Sequence, residues 1–264
     1  MSLLDRRAIS ERLGTESFGR TMYVFSEVGS TNEAANELAS NGAPHGTVVI
    51  ADSQTRGRGR MGRKWLSPPG CNLYISVILR PALPARDAPF ITFVASIALH
   101  EAATGAGVKA SIKWPNDLLA GVKKAAGVLT EMEVEGEKAK YMVVGIGVNL
   151  NMTDKMLAAE LGEVASEATS FLVASGREVD REAFAASLIN QLEKRYTEFM
   201  SAGKGPIIQQ WTKRCGLIGR QVEVCEGDLV TRGVAEGINE AGHLLLRKTG
   251  GEVEEIVTGD VAIV

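Results

Sequence analysis

The segment AKYMVVGIGVNLNM, residues 139–152, constrains the fold most strongly. Its Val- and Ile-rich centre has the continuous apolar character of a strand buried on both faces. Gly145 and Gly147 interrupt it. Glycine weakens a strand, so two of them mark a β-bulge or a place where a ligand or another backbone comes close. Further strands are readable around it. Residues 46–52 (GTVVIAD) and 72–80 (NLYISVILR) are β-branched and apolar. SIKW, residues 111–114, reads as a strand that Pro115 stops. Residues 117–134 (DLLAGVKKAAGVLTEMEV) read as a hairpin turning near residues 121–123, and EGEK is the next turn.

Helical spacing alternates with these strands. GSTNEAANELASNG, residues 29–42, is a helix that Ser30, Thr31 or Asn32 caps and that Asn41 and Gly42 end. Residues 87–104 are apolar on nearly every face (Phe90, Ile91, Phe93, Val94, Ile97, Leu99), which predicts a buried helix. Residues 180–200 place Phe184, Leu188, Leu192, Tyr196 and Phe199 on one stripe. PIIQQWTKRC follows, with Pro206 at a first helical position. From Leu217 the texture changes to five short β runs split by glycine-rich turns, the pattern of a small barrel. The expected division is a domain over residues 1–216 and a barrel over residues 217–264.

Composition narrows the partners. The chain has 264 residues and a net charge of −3, so a positive site must be local rather than general. No apolar run reaches the roughly 18 residues of a membrane span. The N-terminal stretch MSLLDRRAISERLG is polar and lacks a signal-peptide core, so the cytoplasm is expected. Three cysteines (Cys71, Cys215, Cys225) and three histidines (His45, His100, His243) are too scattered for a disulfide framework or a metal cluster.

The local positive site is QTRGRGRMGRKW, residues 54–65. Arg56, Arg58, Arg60, Arg63 and Lys64 share nine residues with Gly57, Gly59 and Gly62. Glycines let backbone N–H groups approach an anion, and arginines suit phosphate oxygens. The stretch matches neither the lysine-ended P-loop nor a Rossmann turn. The competing reading is a flexible RGG-like loop, but those are longer and repeated. KWPND, residues 113–117, sets Lys113, Asn116 and Asp117 around a Trp-Pro step. Lys113 suits phosphate; Asp117 suits Mg²⁺ or a proton. An ordinary Asn-Asp turn accounts for it equally. Lys124, before Gly127, either faces a pocket or lies on a solvated hairpin. Asn149 in GIGVNLN has the donors and acceptors for a base edge or ribose. His100 and His243 read as structural or exposed.

In this order and spacing, STN (residues 30–32), QTRGRGRMGRKW, KWPND, KKAAGVLTE and GIGVNLN resemble the biotin–protein ligase (biotin–[acetyl-CoA-carboxylase] ligase) family. The likeness runs from Val24 to Asn151, and the small C-terminal barrel suits the family too. The fold it implies is α/β (α+β): a mixed-sheet catalytic domain with helices on one side, related to class II aminoacyl-tRNA synthetases, plus an SH3-like barrel. The activity it implies is formation of biotinyl-5′-AMP from biotin, ATP and Mg²⁺. Biotin then passes to a lysine of a biotin carboxyl carrier domain. Ser30, Thr31, Asn32 and Gln54 would bind the fused rings of biotin, with Gly57 and Arg58 above them. Lys124 would meet the carboxylate, and Gly127 and Gly145 would leave room along the floor. Arg58, Arg60, Arg63, Lys113 and Asn116 would serve ATP, with Trp65 and Asn149 on its adenosine side. Lys124, Arg58 and Asp117 would carry the chemistry, Asp117 by organising Mg²⁺ or the incoming amine. The basic loop would be mobile until ligand orders it, and a homodimer would form through a sheet edge.

The sequence departs from the family at two places. Some members carry an N-terminal winged helix-turn-helix and repress biotin genes; the 29 residues before Ser30 are too few for it, so no nucleic-acid partner is expected for the sequence as given, and a bifunctional ligase/repressor is the alternative if such a domain has been truncated. Gly29 stands where an acidic residue is common. Two rivals differ in class. A lipoate–protein ligase would share the fold and the acyl-adenylate logic. A DNA-binding regulator would set the basic loop on a phosphate backbone and bind with strong salt dependence.

Overall fold

The computed structural model describes residues 4–264; the first three residues of the polar N-terminal stretch lie outside them. In chain order the elements are α1 (Arg6–Ser10), β1 (Met22–Val28), α2 (Thr31–Ser40), β2 (Val48–Gln54), β3 (Leu73–Leu79) and α3 (Pro89–Gly105). Four strands follow: β4 (Ala110–Lys113), β5 (Asp117–Ala120), β6 (Lys123–Glu135) and β7 (Lys138–Val148). Then come α4 (Asp154–Leu161), α5 (Phe171–Ser175), α6 (Arg181–Ala202) and α7 (Lys204–Arg214). The last part holds β8 (Gln221–Glu226), β9 (Leu229–Ile238), β10 (Leu244–Arg247), β11 (Val253–Ile256) and β12 (Asp260–Ile263).

The first seven strands form one mixed sheet in the order β1-β2-β3-β7-β6-β5-β4. Only β1 and β2 pair in parallel; the other pairs are antiparallel. The glycine-bearing strand β7 is the centre, as its two-sided burial requires. The last five strands form an antiparallel sheet in the order β11-β10-β9-β8-β12. No helix among the described residues is long and apolar enough to cross a membrane.

The two faces of the main sheet differ. On one face Val48, Ile50, Ile75, Val77, Val144 and Ile146 meet α3, α6 and α7 in the main core. Eleven of the seventeen residues of α3 are buried, because α6 and α7 cover the side that the sheet does not. Phe184, Leu188, Leu192, Tyr196 and Phe199 of α6 are all buried, as their spacing predicts. On the other face α2 lays Ala35 and Ala39 on Val49, Ile78, Tyr141 and Val143. The helices therefore do not all lie on one side: α2 covers part of the second face and leaves the rest open. Two boundaries also differ from the sequence reading. Helix α7 begins at Lys204, so Pro206 is its third residue, within the first turn, where its missing N–H costs nothing. Strand β1 and helices α1, α4 and α5 are short elements that the sequence reading did not single out.

Buried polar groups fasten the layers. The guanidinium of Arg181, at the start of α6, pairs with Asp52 of β2 and donates from Nε to Asn72 O at 2.9 Å. Near the end of β3, His45 sits against the rings of Phe18 and Tyr196. Its Nδ1 accepts a bond from the Arg80 backbone N–H at 3.0 Å, which only the neutral ring can do. Burial lowers the pKa of His45 below 6.5; Glu193 opposes this and Arg80 adds to it. Burial, helped by Arg214, lowers that of His100 as well. The unfolded chain then binds more protons than the folded one below pH 6.5, so this contribution is complete above that pH and lost as pH falls. The melting temperature of wild type is expected to fall between pH 7.5 and 5.5, and that of His45→Gln less steeply. Equal slopes in differential scanning fluorimetry would contradict this role for His45.

Candidate active site

The open part of the second sheet face is a consequence of side-chain size along β7. Tyr141 and Val143 lie beneath α2. The next two residues on that face are Gly145 and Gly147, so the floor drops away. Neither glycine marks a bulge: Gly145 pairs in register with Ser76 and Leu129, and Gly147 with Tyr74 and Gly127. They mark close approach instead. A β-carbon at Gly145 would fall on Asn32 Oδ1, and one at Gly147 would lie 2.5 Å from Trp65 Nε1. Above this floor is a cavity of about 960 Å³.

One end of the cavity is polar and uncharged. Ser30, Thr31 and Asn32 at the start of α2 are all at least 95% buried. Ser30 occupies the N-cap position, yet its side chain makes no capping bond. Gln54, from the end of β2, does that work: its Oε1 accepts from Thr31 N at 2.8 Å, while its Nε2 donates to Ser67 Oγ at 2.8 Å.

The middle holds Lys124 and Asp117. Between β5 and β6 the register slips, leaving Ala125 as an extra residue between Lys124 and Ala126. By simple alternation from Gly127, Lys124 would point to the far face; the bulge re-aims it into the cavity. Its Nζ lies 2.7 Å from Asp117 Oδ1 and 5.4 Å from the Trp65 ring centre. Asp117 Oδ1 has no aligned hydrogen bond, so the contact is a charge pair rather than a directed bond.

The other end is cationic. Residues 57–65 form a small hairpin: Trp65 N donates to Gly57 O at 2.9 Å and Gly59 N to Arg63 O at 2.7 Å. Met61 and Gly62 both have positive φ at its tip, the conformation of a tight mirror-image hairpin turn. Arg56 pairs with Glu33 at 3.0 Å and Arg58 with Glu131 at 3.1 Å. Arg60 donates to Asn116 Oδ1 at 3.2 Å and reaches Thr258 Oγ1 at 3.4 Å. Arg63 forks onto Asp260 of β12, donating from Nη1 to Oδ1 at 3.0 Å. That hydrogen bond holds Asp260 below the usual carboxylate range, against partial burial, and Arg63, Arg60 and Lys113 add to it by charge.

The structure brings Ser30, Thr31, Asn32, Gln54, Arg58, Arg60, Arg63, Trp65, Lys113, Asn116, Asp117, Lys124, Gly127, Gly145 and Asn149 to the wall of one cavity. Gly57 is the exception. A β-carbon there would fall on Trp65 O, so its role is to close the hairpin. Asn149 is committed in part, since its Nδ2 donates to Thr169 O at 3.0 Å. Two of the anions that seat the hairpin (Glu33 and Asp260) and the wall residues Leu66, Val122, Val164 and Arg220 had no motif to reveal them; the third, Glu131, closes the KKAAGVLTE stretch but has no role legible there. Gly29 carries no comparable constraint, since a β-carbon there would meet only the ends of the Arg56 and Glu33 side chains, which can move aside. Gly147→Ala should push the Trp65 ring off the floor. A red-shifted tryptophan emission is expected, absent from the Gly147→Ala/Trp65→Phe pair; an unshifted spectrum would place the ring elsewhere.

Comparison with known proteins agrees with this arrangement. Residues 24–149 match the model of the biotin/lipoate A/B protein ligase family, and residues 217–264 that of the biotin protein ligase C-terminal domain. The bifunctional ligase/repressor BirA of Bacillus spizizenii is 37% identical over 98% of this chain and 79% of its own length. The biotin–[acetyl-CoA-carboxylase] ligase of Mycobacterium tuberculosis is 30% identical over 98% of this chain and 95% of its own. The solved biotin protein ligase from Aquifex aeolicus, in complex with biotin and ATP, superposes with a TM-score of 0.77 at 27% identity. That match covers 93% of this chain and all of the other. A central strand stripped to glycine, a lysine re-aimed by a bulge and a cationic hairpin on a two-sheet α/β fold thus sit in a chain that belongs to the biotin–protein ligase family.

Proposed function

We propose that this chain joins biotin to a protein lysine in two steps within the one cavity. The observation that carries the reading is the sequence of environments along it: a buried neutral polar end, a lysine at the middle, and a cationic hairpin beyond. Biotin has the matching order, with a polar ring system, an apolar tail and a carboxylate. A carboxylate is a poor electrophile. Its oxygen attacks the α-phosphorus of ATP, pyrophosphate leaves, and the product is biotinyl-5′-AMP. The amine of an acceptor lysine then attacks the acyl carbon, AMP leaves, and an amide forms. Both steps build negative charge on phosphate, which preorganised cations stabilise in a site shielded from water.

Each residue has a task in this reading. Ser30, Thr31, Asn32 and Gln54 orient the rings. Lys124 meets the carboxylate and then the acyl-phosphate, with Asp117 as its charge partner at 2.7 Å. Arg58, Arg60, Arg63 and Lys113 serve the phosphates; Asn116 holds Arg60, and Trp65 and Asn149 lie on the adenosine side. Among the described residues no three metal-binding side chains are gathered into a cage. A Mg²⁺ ion held mainly by the triphosphate needs only one protein carboxylate, and Asp117 suits it, with an oxygen free of directed hydrogen bonds. When bound, the ion would screen phosphate charge. The acceptor in this reading is a biotin carboxyl carrier domain, and the barrel formed by residues 217–264 helps place ATP or that domain. A homodimer paired through a terminal strand of the main sheet, β1 or β4, belongs to the same proposal.

Isothermal titration calorimetry tests the reading. Wild type should bind biotin, and more tightly with ATP and Mg²⁺ present. Lys124→Ala should weaken biotin binding about ten- to a hundredfold, the worth of one charge-assisted hydrogen bond. Arg60→Ala should raise the ATP requirement by a similar factor and leave binding of biotin alone unchanged. Heat with lipoate and none with biotin would move the substrate to the rival ligase.

A further inference from the structure

We propose that Glu131 is a specificity-determining positioning residue. Its carboxylate, seated outside the cavity wall, sets the direction of a hydrogen-bond relay and so makes Thr31 an acceptor toward N–H groups of the bound ring. This inference rests on the biotin reading above.

The sheet register places Glu131. Asp117, Gly127, Gly147 and Tyr74 form one cross-strand row, and Leu129, Gly145 and Ser76 form the next. Glu131, Val143 and Ile78 form the third. Cross-strand partners share a face, so Glu131 is on the cavity side but one row beyond the floor. Neither Glu131 nor Ser76 lines the cavity.

The direction of the relay follows from donor and acceptor counting. Glu131 Oε2 accepts from Asn32 Nδ2 at 2.8 Å and from Asn36 Nδ2 at 3.2 Å. Its Oε1 accepts from Arg58 Nη2 at 3.1 Å. Neither a carboxylate nor a backbone carbonyl donates, so the Asn32 amide must turn its NH₂ toward Glu131, and toward Leu129 O at the longer 3.3 Å, and its oxygen away. That oxygen lies 2.7 Å from Ser76 Oγ, and it too only accepts, so Ser76 must donate. Ser76 has one proton. Its 2.8 Å contact with Thr31 Oγ1 is therefore a bond that Thr31 donates. The alternative sends the Thr31 proton to Gln54 Oε1 at 3.2 Å, which leaves one of the two short oxygen pairs with no proton between them. The shorter contacts decide. Gln54 Oε1 is in any case satisfied by Thr31 N at 2.8 Å.

Thr31 Oγ1 thus offers only lone pairs to the cavity. A ring with N–H groups, such as the ureido ring of biotin, matches it. A ring that offers only acceptors or sulfur leaves a buried oxygen unpaired, and that discriminates strongly. The same carboxylate holds Arg58, so ring selection and the seat of the hairpin share one anchor.

The test is calorimetric titration of biotin into wild type, Glu131→Gln, Ser76→Ala and the double variant. A glutamine can turn its own NH₂ toward Asn32, which leaves only the longer bond to Leu129 O, 3.3 Å, to fix the direction of the relay. Each single variant should raise the biotin Kd roughly ten- to a hundredfold. The double variant should be no weaker than the weaker single one, because both cut the same relay. Ser76→Ala should leave the KM for ATP unchanged. A Kd like that of wild type in either single variant overturns the proposal, as does full additivity, which would mean that Glu131 only seats Arg58. If Glu131→Gln fails to fold, Ser76→Ala decides alone by its Kd. Wild type that fails to bind biotin would instead remove the functional reading itself.

Discussion

Five cations within nine residues repel one another unless anions stand among them. The hairpin over the cavity keeps its shape because distant parts of the chain supply those anions. Glu33 comes from α2, Glu131 from β6 and Asp260 from β12 of the C-terminal sheet. The balance is incomplete by design of the site: among the described residues Arg60, Lys64 and Lys113 make no ion pair. Burial lowers the pKa of Arg60, with Asp260 and Asp117 opposing that from a distance. A half-buried guanidinium with no carboxylate against it is a site that an anion completes.

The hairpin needs a floor, and the floor is set by register. In β7 the second face reads Tyr141, Val143, Gly145, Gly147, so one helix rests on the first pair, while Asn32 and Trp65 lie close against the second at the cavity floor. A one-residue slip would exchange this face for Met142, Val144 and Ile146, which belong to the main core. The bulge at Ala125 performs the opposite service, breaking alternation so that Lys124 joins the glycine face. Stability and chemistry therefore depend on the same pairing of β6 with β7.

Much of this was legible in the sequence. Strong strands, the buried α3 and the stripe of α6 are local patterns, and local patterns survive into the fold. Gly145 and Gly147 left a bulge and a close approach both open; the structure shows the approach, with Asn32 and Trp65 arriving from other elements. The motif residues were found because chemistry clusters them in short stretches. Asp260 was not, and Glu131 stands at the end of KKAAGVLTE without a legible role, because a carboxylate gains its meaning only from a partner that lies far away in the chain. The position of Lys124 was open for the same reason, since a bulge is a property of two strands together. The capping role was misjudged: Ser30 has the right residue type, but Gln54 reaches the free N–H of Thr31 instead.

The central claim is that one cavity activates a carboxylate with ATP before any acceptor protein arrives. Exchange of labelled pyrophosphate into ATP measures that step alone. Exchange should require biotin, proceed without carrier domain, and be lost in Lys124→Ala. Exchange that is indifferent to biotin, or absent from wild type supplied with biotin, ATP and Mg²⁺, would contradict it.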